Sequence, residues 1–338
     1  MKSFIHSTLS RYFKEFPVTM IDVGYRGGAA NKWDYFGEYL RCIGFEPDKA
    51  EYDRLTKAGV SGTVFNVGLF DKKGAVDFNI TRDGNLCSIL TPNRELLDEF
   101  PEAGRYDVIK KIKLEVNTLD NVVADSGMKL IDFMKIDTQG TELPILQGAS
   151  ETLKQTVFGL EIEVEFVPLY RDQLLFSDLD QYLRERDFIL FDLQQHFWRR
   201  RSGLGFDANI RGQLIHGNVL YFRKANQYIS QLKAGGNSPD EIKAAILKAI
   251  SISWMFGYSD YSAEICLEAK KAKYLTEIES VMIAEILKRS SPLTANLPDF
   301  PGRGRIAVVL KKMLNTFFPD NYHGWAMVSK ADVGNRGT

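Results

Sequence analysis

Three acids in this chain stand where strand-like runs give way to turns: Asp22 in "TMIDVGYRGG", Glu46 in "RCIGFEP" and Asp137 in "LIDFMKIDTQG". Glycine turns after strands ordinarily cradle phosphates. Asp22 is therefore an unusual choice, because a carboxylate close to a pyrophosphate is disfavoured by on the order of a few kcal/mol. Beside a ligand carrying an ammonium and a sulfonium, the same carboxylate is favourable. Glu46 follows the turn by about twenty residues, the spacing at which an acid accepts hydrogen bonds from ribose hydroxyls. An adenosine with a cationic tail meets both requirements, and S-adenosylmethionine has that composition. The glycines are Gly24, Gly27 and Gly28, with Arg26 where the dinucleotide pattern G-x-G-x-x-G has its second glycine. The competing reading is that Asp22 only caps a turn and the glycines only pack.

A second constellation follows Asp137. Gly140 permits a tight turn before a helix containing Glu142, so Asp137, Gln139 and Glu142 are expected at the same sheet edge as Asp22 and Glu46. In "GLEIEVEF" the strand period of two puts Glu161, Glu163 and Glu165 on one face. A solvated edge strand explains Glu161; Glu165, next to the strand's end, is assigned to the site.

These residues need a frame to hold them. From Val18 to about Arg223, strand-like runs alternate with helical ones, and several strands are apolar almost throughout, as in parallel sheets covered on both faces. The alternation predicts a doubly wound α/β sheet. Helices are expected over Lys49–Lys57, Glu142–Lys154 and Ser177–Arg186, and the run "DKKGAVDFNITRDGNLCSIL" reads as an antiparallel insertion. After Arg223 helical periodicity takes over. About residues 226–238, ending in "QLKAGGNS", read as a linker, and "SPDE" then gives a cap, a first-turn proline and two acids. A further cap is expected at Ser259, and a last amphipathic helix at Arg305–Phe318. The expected division is a sheet domain over 1–225 and an all-helical region over 226–338, consistent with about two domains for 338 residues.

Composition narrows the class. With 44% apolar residues the chain can bury a full core, and a net charge of −1 offers no basic field for nucleic acid. Cys42, Cys87 and Cys266 are odd in number and far apart, as a reducing compartment allows. The start, "MKSFIHSTLSRYFKEFP", reads as a short amphipathic helix, without a secretory signal, and no run approaches eighteen apolar residues. A soluble, cytoplasmic protein is the expectation.

The motifs "IDVGYRGG", "GFEPDK", "NVGLFD", "KIDTQGTELPILQGA", "EVEFVPLY", "LRERDFILFDL" and "GNVLYFR" occur in this order. Together they resemble the FkbM-type family of S-adenosylmethionine-dependent methyltransferases over about Val18–Arg223. The resemblance implies a class I, Rossmann-like methyltransferase fold acting on hydroxyl oxygens of sugars, glycolipids and natural products. It also implies that Asp22, Gly24 and Gly28 shape the cofactor turn and that Glu46 binds ribose. Asn66 would lie by the adenine, with Asp137, Gln139 and Glu142 around the methyl-transfer centre. Tyr25 departs from the small residue usual there, and its ring either narrows the methionine end of the site or points away.

An alcohol acceptor is a poor nucleophile until its proton is taken, so a general base is expected. Asp137 is the first choice, followed by Glu165 and His216; simple packing is the alternative for His216. His6, His196, His216 and His323 are scattered and the cysteines unpaired, so no metal is expected, the alternative being a metal-assisted reaction that uses Asp137 with nearby acids. For the acceptor, "QQHFWRRRSGLGFDANIR" offers Trp198 for a sugar face and Arg200 and Arg211 for phosphate or carboxylate. The alternative is a solvated basic loop. The last helix has one apolar side, which suits core or dimer packing, or contact with an anionic membrane. Two other functions compete: a nicotinamide-dependent oxidoreductase, disfavoured by Asp22 and Arg26, and a non-catalytic cofactor-binding scaffold whose helical region recruits a partner.

Overall fold

The apolar run Val18–Val23 is buried at every position and lies inside a seven-stranded sheet. The computed structural model describes residues 7, 9–60, 62–201, 212–288, 306, 309, 310 and 313. In chain order its elements begin α1 (Ser10–Glu15), β1 (Val18–Val23), β2 (Leu40–Phe45), α2 (Lys49–Ala58), β3 (Thr63–Phe65), β4 (Gly68–Leu69) and β5 (Gly74–Thr81). There follow α3 (Arg94–Leu97), β6 (Val108–Asn117), α4 (Leu119–Ser126), β7 (Ile131–Ile136), α5 (Glu142–Gln147), α6 (Ser150–Leu153) and β8 (Gly159–Glu165). The rest are α7 (Phe176–Arg184), β9 (Phe188–Trp198), β10 (Gln213–Arg223), α8 (Ala225–Ala234), α9 (Pro239–Met255), α10 (Ser259–Lys271) and α11 (Glu277–Leu287).

The large sheet has the order β3-β2-β1-β7-β8-β10-β9. All neighbouring pairs are parallel except those made by β10, which runs antiparallel to both β8 and β9. After β1 the chain builds outward through β2 and β3, then returns to place β7 on the other side of β1. This reversal is where open α/β sheets bind ligands. A smaller sheet, β4-β6-β5, is the expected antiparallel insertion, with β5 antiparallel to β6 over Gly74–Thr81.

Both faces of the large sheet are covered, which is why its strands are apolar on both sides. Leu119, Val123, Ile145, Leu153 and Leu183 from α4–α7 pack on the face carrying Ile21, Met134 and Ile162. The opposite face carries Met20, Phe133, Phe158 and Phe222 and is covered by α1 and by α8–α10. Helix α9 is buried over nearly its whole circumference, as suits a helix enclosed by other elements. It begins with the expected device: Ser238 Oγ accepts from Glu241 N, Glu241 Oε2 accepts from Ser238 N, and Pro239 occupies the first turn.

Some expectations need correction. Residues 226–238 are not a spacer, because α8 occupies Ala225–Ala234 and buries Tyr228, Ile229 and Leu232. One hydrophobic cluster runs from the sheet into α8–α11, so the core is continuous across the expected boundary at residue 225. The helix expected over Glu142–Lys154 is interrupted at Gly148 and Ala149. Strand β8 is not an edge, since β7 and β10 flank it. Of the expected last helix, only Ile306, Val309, Leu310 and Met313 are described; they are helical and exposed. No described helix is long and apolar enough to cross a membrane.

Candidate active site

At the carboxyl ends of β1, β2 and β7 the sheet opens into a cavity of ≈ 370 Å³. Its floor includes Gly24, Glu46, Lys135 and Asp137, and Phe78, Leu114 and the segment 84–89 close it from the side of the small sheet.

The turn after β1 is shaped by close backbone approach. Gly24 and Tyr25 both donate from their N–H groups to Phe45 O, and Asp137 N donates to Val23 O. Gly24 has φ +86°, and a Cβ there would lie 2.0 Å from Asp137 O. Only glycine combines that dihedral with that proximity. Gly27 N donates to Glu51 Oε1 at 3.1 Å, so α2 holds the far side of the turn. Glu51 is held down to about 2, chiefly by Arg54.

Tyr25 points away from the cavity. Its ring is buried in the core beneath the sheet, in space left by Gly44, where a Cβ would come within 2.3 Å of it. Gly28 and Asn66 also lie off the cavity wall. Asn66 donates its amide to Glu46 O at 2.9 Å and Pro47 O at 3.1 Å, which positions Glu46.

Glu46 is buried and lines the cavity, with Oε1 accepting from Asp48 N at 2.8 Å. Burial pushes its carboxyl up to about 7. An acid so placed can accept hydrogen bonds from a vicinal diol. Asp22 is more deeply buried, and burial raises it to about 6 against the opposing pull of Lys135. The cation that Asp22 meets within the protein is therefore Lys135, at 3.4 Å, and Asp22 itself does not line the cavity. The Lys135 ammonium also lies 3.7 Å from Asp137 and lines the wall between them. Burial opposes its charge, but Asp22 and Asp137 outweigh burial and raise Lys135 above the usual lysine range.

Gln139 sits at φ 60°, a left-handed conformation uncommon for a residue with a side chain. Its amide Nε2 donates to Asp137 Oδ1 at 3.2 Å and to Glu163, and its Oε1 accepts from Tyr170 Oη at 3.2 Å. Glu142 does not reach the cavity. Its carboxylate accepts from Thr138 N, Thr138 Oγ1 and Gly140 N, fastening the loop that carries Gln139. Burial raises Glu142 to about 7.

The three acids of β8 share a covered face. Glu161 pairs with Lys32, Glu163 lines the cavity, and Glu165 is buried beyond it. His216 of β10 is directly opposite Glu165, and its Nδ1 lies 3.2 Å from Glu163 Oε1. Trp198 is buried beside them, against Phe100 and Tyr106. Arg200 is not directed at an anion site: it pairs with Glu99, donates to Gln213 Oε1 and lies over the Phe100 ring. Arg211 is outside the described residues. Among the described residues, no group of three or more His, Cys, Asp and Glu is placed to hold a metal ion.

The sequence reading did not single out Lys135, Glu51 or Glu163 for the site. A lone lysine in "FMKID" was the available signal, and the register Asp22↔Lys135 gives it meaning.

Sheet order, the antiparallel β10 and a cavity at the β1–β7 reversal define a class I methyltransferase fold with its C-terminal helices packed on one face. The chain belongs to the FkbM methyltransferase family, whose methyltransferase FkbM domain matches residues 22–190. It is similar to the 2-O-methyltransferase NoeI of Sinorhizobium fredii, 24% identical over 180 residues that cover 50% of this chain and 72% of that protein. Among solved structures it is similar to a methyltransferase FkbM from Methylobacillus flagellatus KT, at 17% identity and a TM-score of 0.35. That match covers 61% of this chain but only 43% of the other. A precorrin-6y C5,15-methyltransferase from Geobacter metallireducens GS-15 matches at 10% identity and a TM-score of 0.32, over 63% of this chain and 87% of the other.

Proposed function

We propose that this methyltransferase binds S-adenosylmethionine in the cavity beside Gly24 and methylates a hydroxyl of a sugar, a glycan or glycolipid, or a related natural product. The observation that carries the proposal is one continuous cavity containing both Glu46 and the Lys135–Asp137 pair. Its residues fit such a cofactor: Gly24 leaves the close approach open, Glu46 suits the ribose diol, and Asp137 suits a cationic tail. Bound there, the cofactor supplies a methyl group on a sulfonium, a good leaving group.

The chain's own task is then alignment, for which effective molarities allow ~7 kcal/mol or more, and proton transfer. Asp137 is the carboxylate assigned to hold the acceptor hydroxyl and take its proton as the new C–O bond forms. Lys135, kept charged by its acidic neighbours, compensates the Asp137 carboxylate. Gln139 fixes one Asp137 oxygen, and Glu142 acts one step back by holding the Gln139 loop. Glu165 and His216 stand apart from the cavity wall and are assigned to neighbouring recognition, with Asp137 as base. The hydroxyl acceptor draws support from the curated relative, which is named as a 2-O-methyltransferase.

Isothermal titration with S-adenosylhomocysteine and with NAD tests the cofactor. Binding of the first alone is expected, and binding of NAD alone would overturn the reading. Transfer of labelled methyl from S-adenosylmethionine to extracted glycans tests the activity; binding with no transfer to any hydroxylated acceptor would favour a scaffold.

A further inference from the structure

Beside the main cavity lies a second, smaller recess of ≈ 50 Å³, lined by Tyr106, Glu163, Glu165, Leu169, Trp198 and His216, among others. It shares Leu86, Gln139 and Glu163 with the larger cavity, so it adjoins the proposed reaction centre. Room for about three or four water molecules corresponds to a substituent of a few non-hydrogen atoms.

Two polar atoms in this recess are buried without a hydrogen-bond partner, Trp198 Nε1 and Glu165 Oε1, while His216 Nδ1 faces Glu163 Oε1 at 3.2 Å. Glu165 is 1% exposed and Trp198 3%. A buried polar atom left unmatched costs about 1–3 kcal/mol, and two in one small space mark a place prepared for a ligand. They also restrict its chemistry. The indole N–H can only donate, so the ligand must accept there. The Glu165 carboxyl oxygen requires a partner that can also donate. A hydroxyl does both.

Resting on the methyltransferase reading above, we propose that this recess is an acceptor subsite, taking an uncharged hydroxyl-bearing substituent of the same molecule that Asp137 engages. Phosphate or carboxylate would be placed against Glu163 and Glu165. An ammonium offers only donors and leaves the Trp198 N–H unmatched. The state of the lining agrees: burial raises Glu163 and Glu165 well above the usual carboxylate range, and burial together with neighbouring His196 lowers His216 to about 4. Burial thus disfavours the charged form of all three groups. Arg200, the nearest candidate for an anion on sequence grounds, is turned to Glu99 instead.

The test uses the full chain saturated with S-adenosylhomocysteine and labelled with ¹⁵N at its indoles. Methyl glucoside, methyl galactoside and methyl mannoside are titrated as neutral probes, with glucosamine and glucuronate as cationic and anionic counterparts. At least one neutral glycoside is expected to shift the Trp198 indole resonance, identified by its absence in Trp198→Phe. Glu165→Ala should weaken that glycoside about tenfold, whereas Glu165→Gln, a neutral mimic of the protonated acid, should stay within about threefold. No shift with any neutral probe, a stronger response to glucosamine or glucuronate, or unchanged affinity in Glu165→Ala would overturn the subsite. The wild-type titration decides the matter even where Glu165→Ala does not fold. Failure of S-adenosylhomocysteine itself to bind would sink the cofactor reading instead; binding with a silent Trp198 sinks only the recess.

Discussion

The Lys248 ammonium of α9 lies 2.8 Å from Asp132 Oδ1 of β7, with both side chains 1% exposed. Thr19 N of β1 donates to the other carboxylate oxygen at 2.8 Å, so one buried acid joins two strands to a helix more than a hundred residues away. Removing one partner of such a pair leaves a buried charge and typically costs about 3–5 kcal/mol. Lys248→Met should lower unfolding free energy by that amount in urea titration, and Lys248→Met with Asp132→Asn should recover most of it. By the same logic, a chain ending at residue 225 should fail to give a cooperative unfolding transition. A stable, two-state 1–225 fragment would refute the claim that α9 completes the core.

Glu46 should impose a pH dependence on stability. Its folded value, about 7, lies above the ordinary 4.5, so the folded state holds the proton more tightly. The corresponding stability is fully present below about pH 4.5 and is lost as pH rises through about 7. Glu46→Gln removes the titration, so relative to wild type it should gain roughly 1–3 kcal/mol between pH 5 and pH 8. Denaturant titrations at both pH values read this directly; a constant difference would show that Glu46 is not the group responsible.

Gly24→Ala should separate folding from binding. The added methyl meets Asp137 O, and φ +86° is itself unfavourable for alanine by roughly 1–2 kcal/mol. The β1 and β7 ends must move apart, displacing Asp137 from the turn. A fall of a few degrees in Tm (about 1.5 °C per kcal/mol for a chain of this size) should accompany at least a tenfold loss in S-adenosylhomocysteine affinity. Wild-type affinity in a destabilised variant would remove this turn from the cofactor site.

Asp137→Asn keeps shape and an acceptor oxygen but cannot take a proton at neutral pH. Turnover should fall by about 10²–10⁴-fold, while Tm and S-adenosylhomocysteine affinity change little. Single-turnover methylation of an identified acceptor measures the effect. Near-normal rates would exclude Asp137 as base and redirect attention to Glu165 and His216.

What the sequence disclosed follows from where each strand sits. β1, β2 and β7 were legible because both faces are covered and their runs are apolar. β6, "VIKKIKLEVN", was not: Val108 through Lys111 are all exposed, so its lysines mask the alternation that marks a strand. Helix α8 was hidden by Gly235, Gly236 and Asn237 directly after it, though Tyr228, Ile229 and Leu232 already marked a buried face. Tyr25 was ambiguous because its place depends on Gly44, a residue of the neighbouring strand. Asp22, Glu46 and Asp137 were found through strand ends and spacing; their division into lining and supporting acids required the sheet register, as did the pairing of Lys135.

The position of β10 between β8 and β9 sets an order on synthesis. β9 leaves the ribosome first, yet among the described residues its neighbour in the sheet is β10, so it has no seat until Gln213–Arg223 follow. Until then the nascent chain carries β8 with one unpaired side, the kind of edge that recruits other strands. The sheet is completed only once β10 has been made, and the Phe133–Phe158 side lacks part of its cover until α8–α10 have been translated. A ribosome slowed before residue 213 would prolong that exposure.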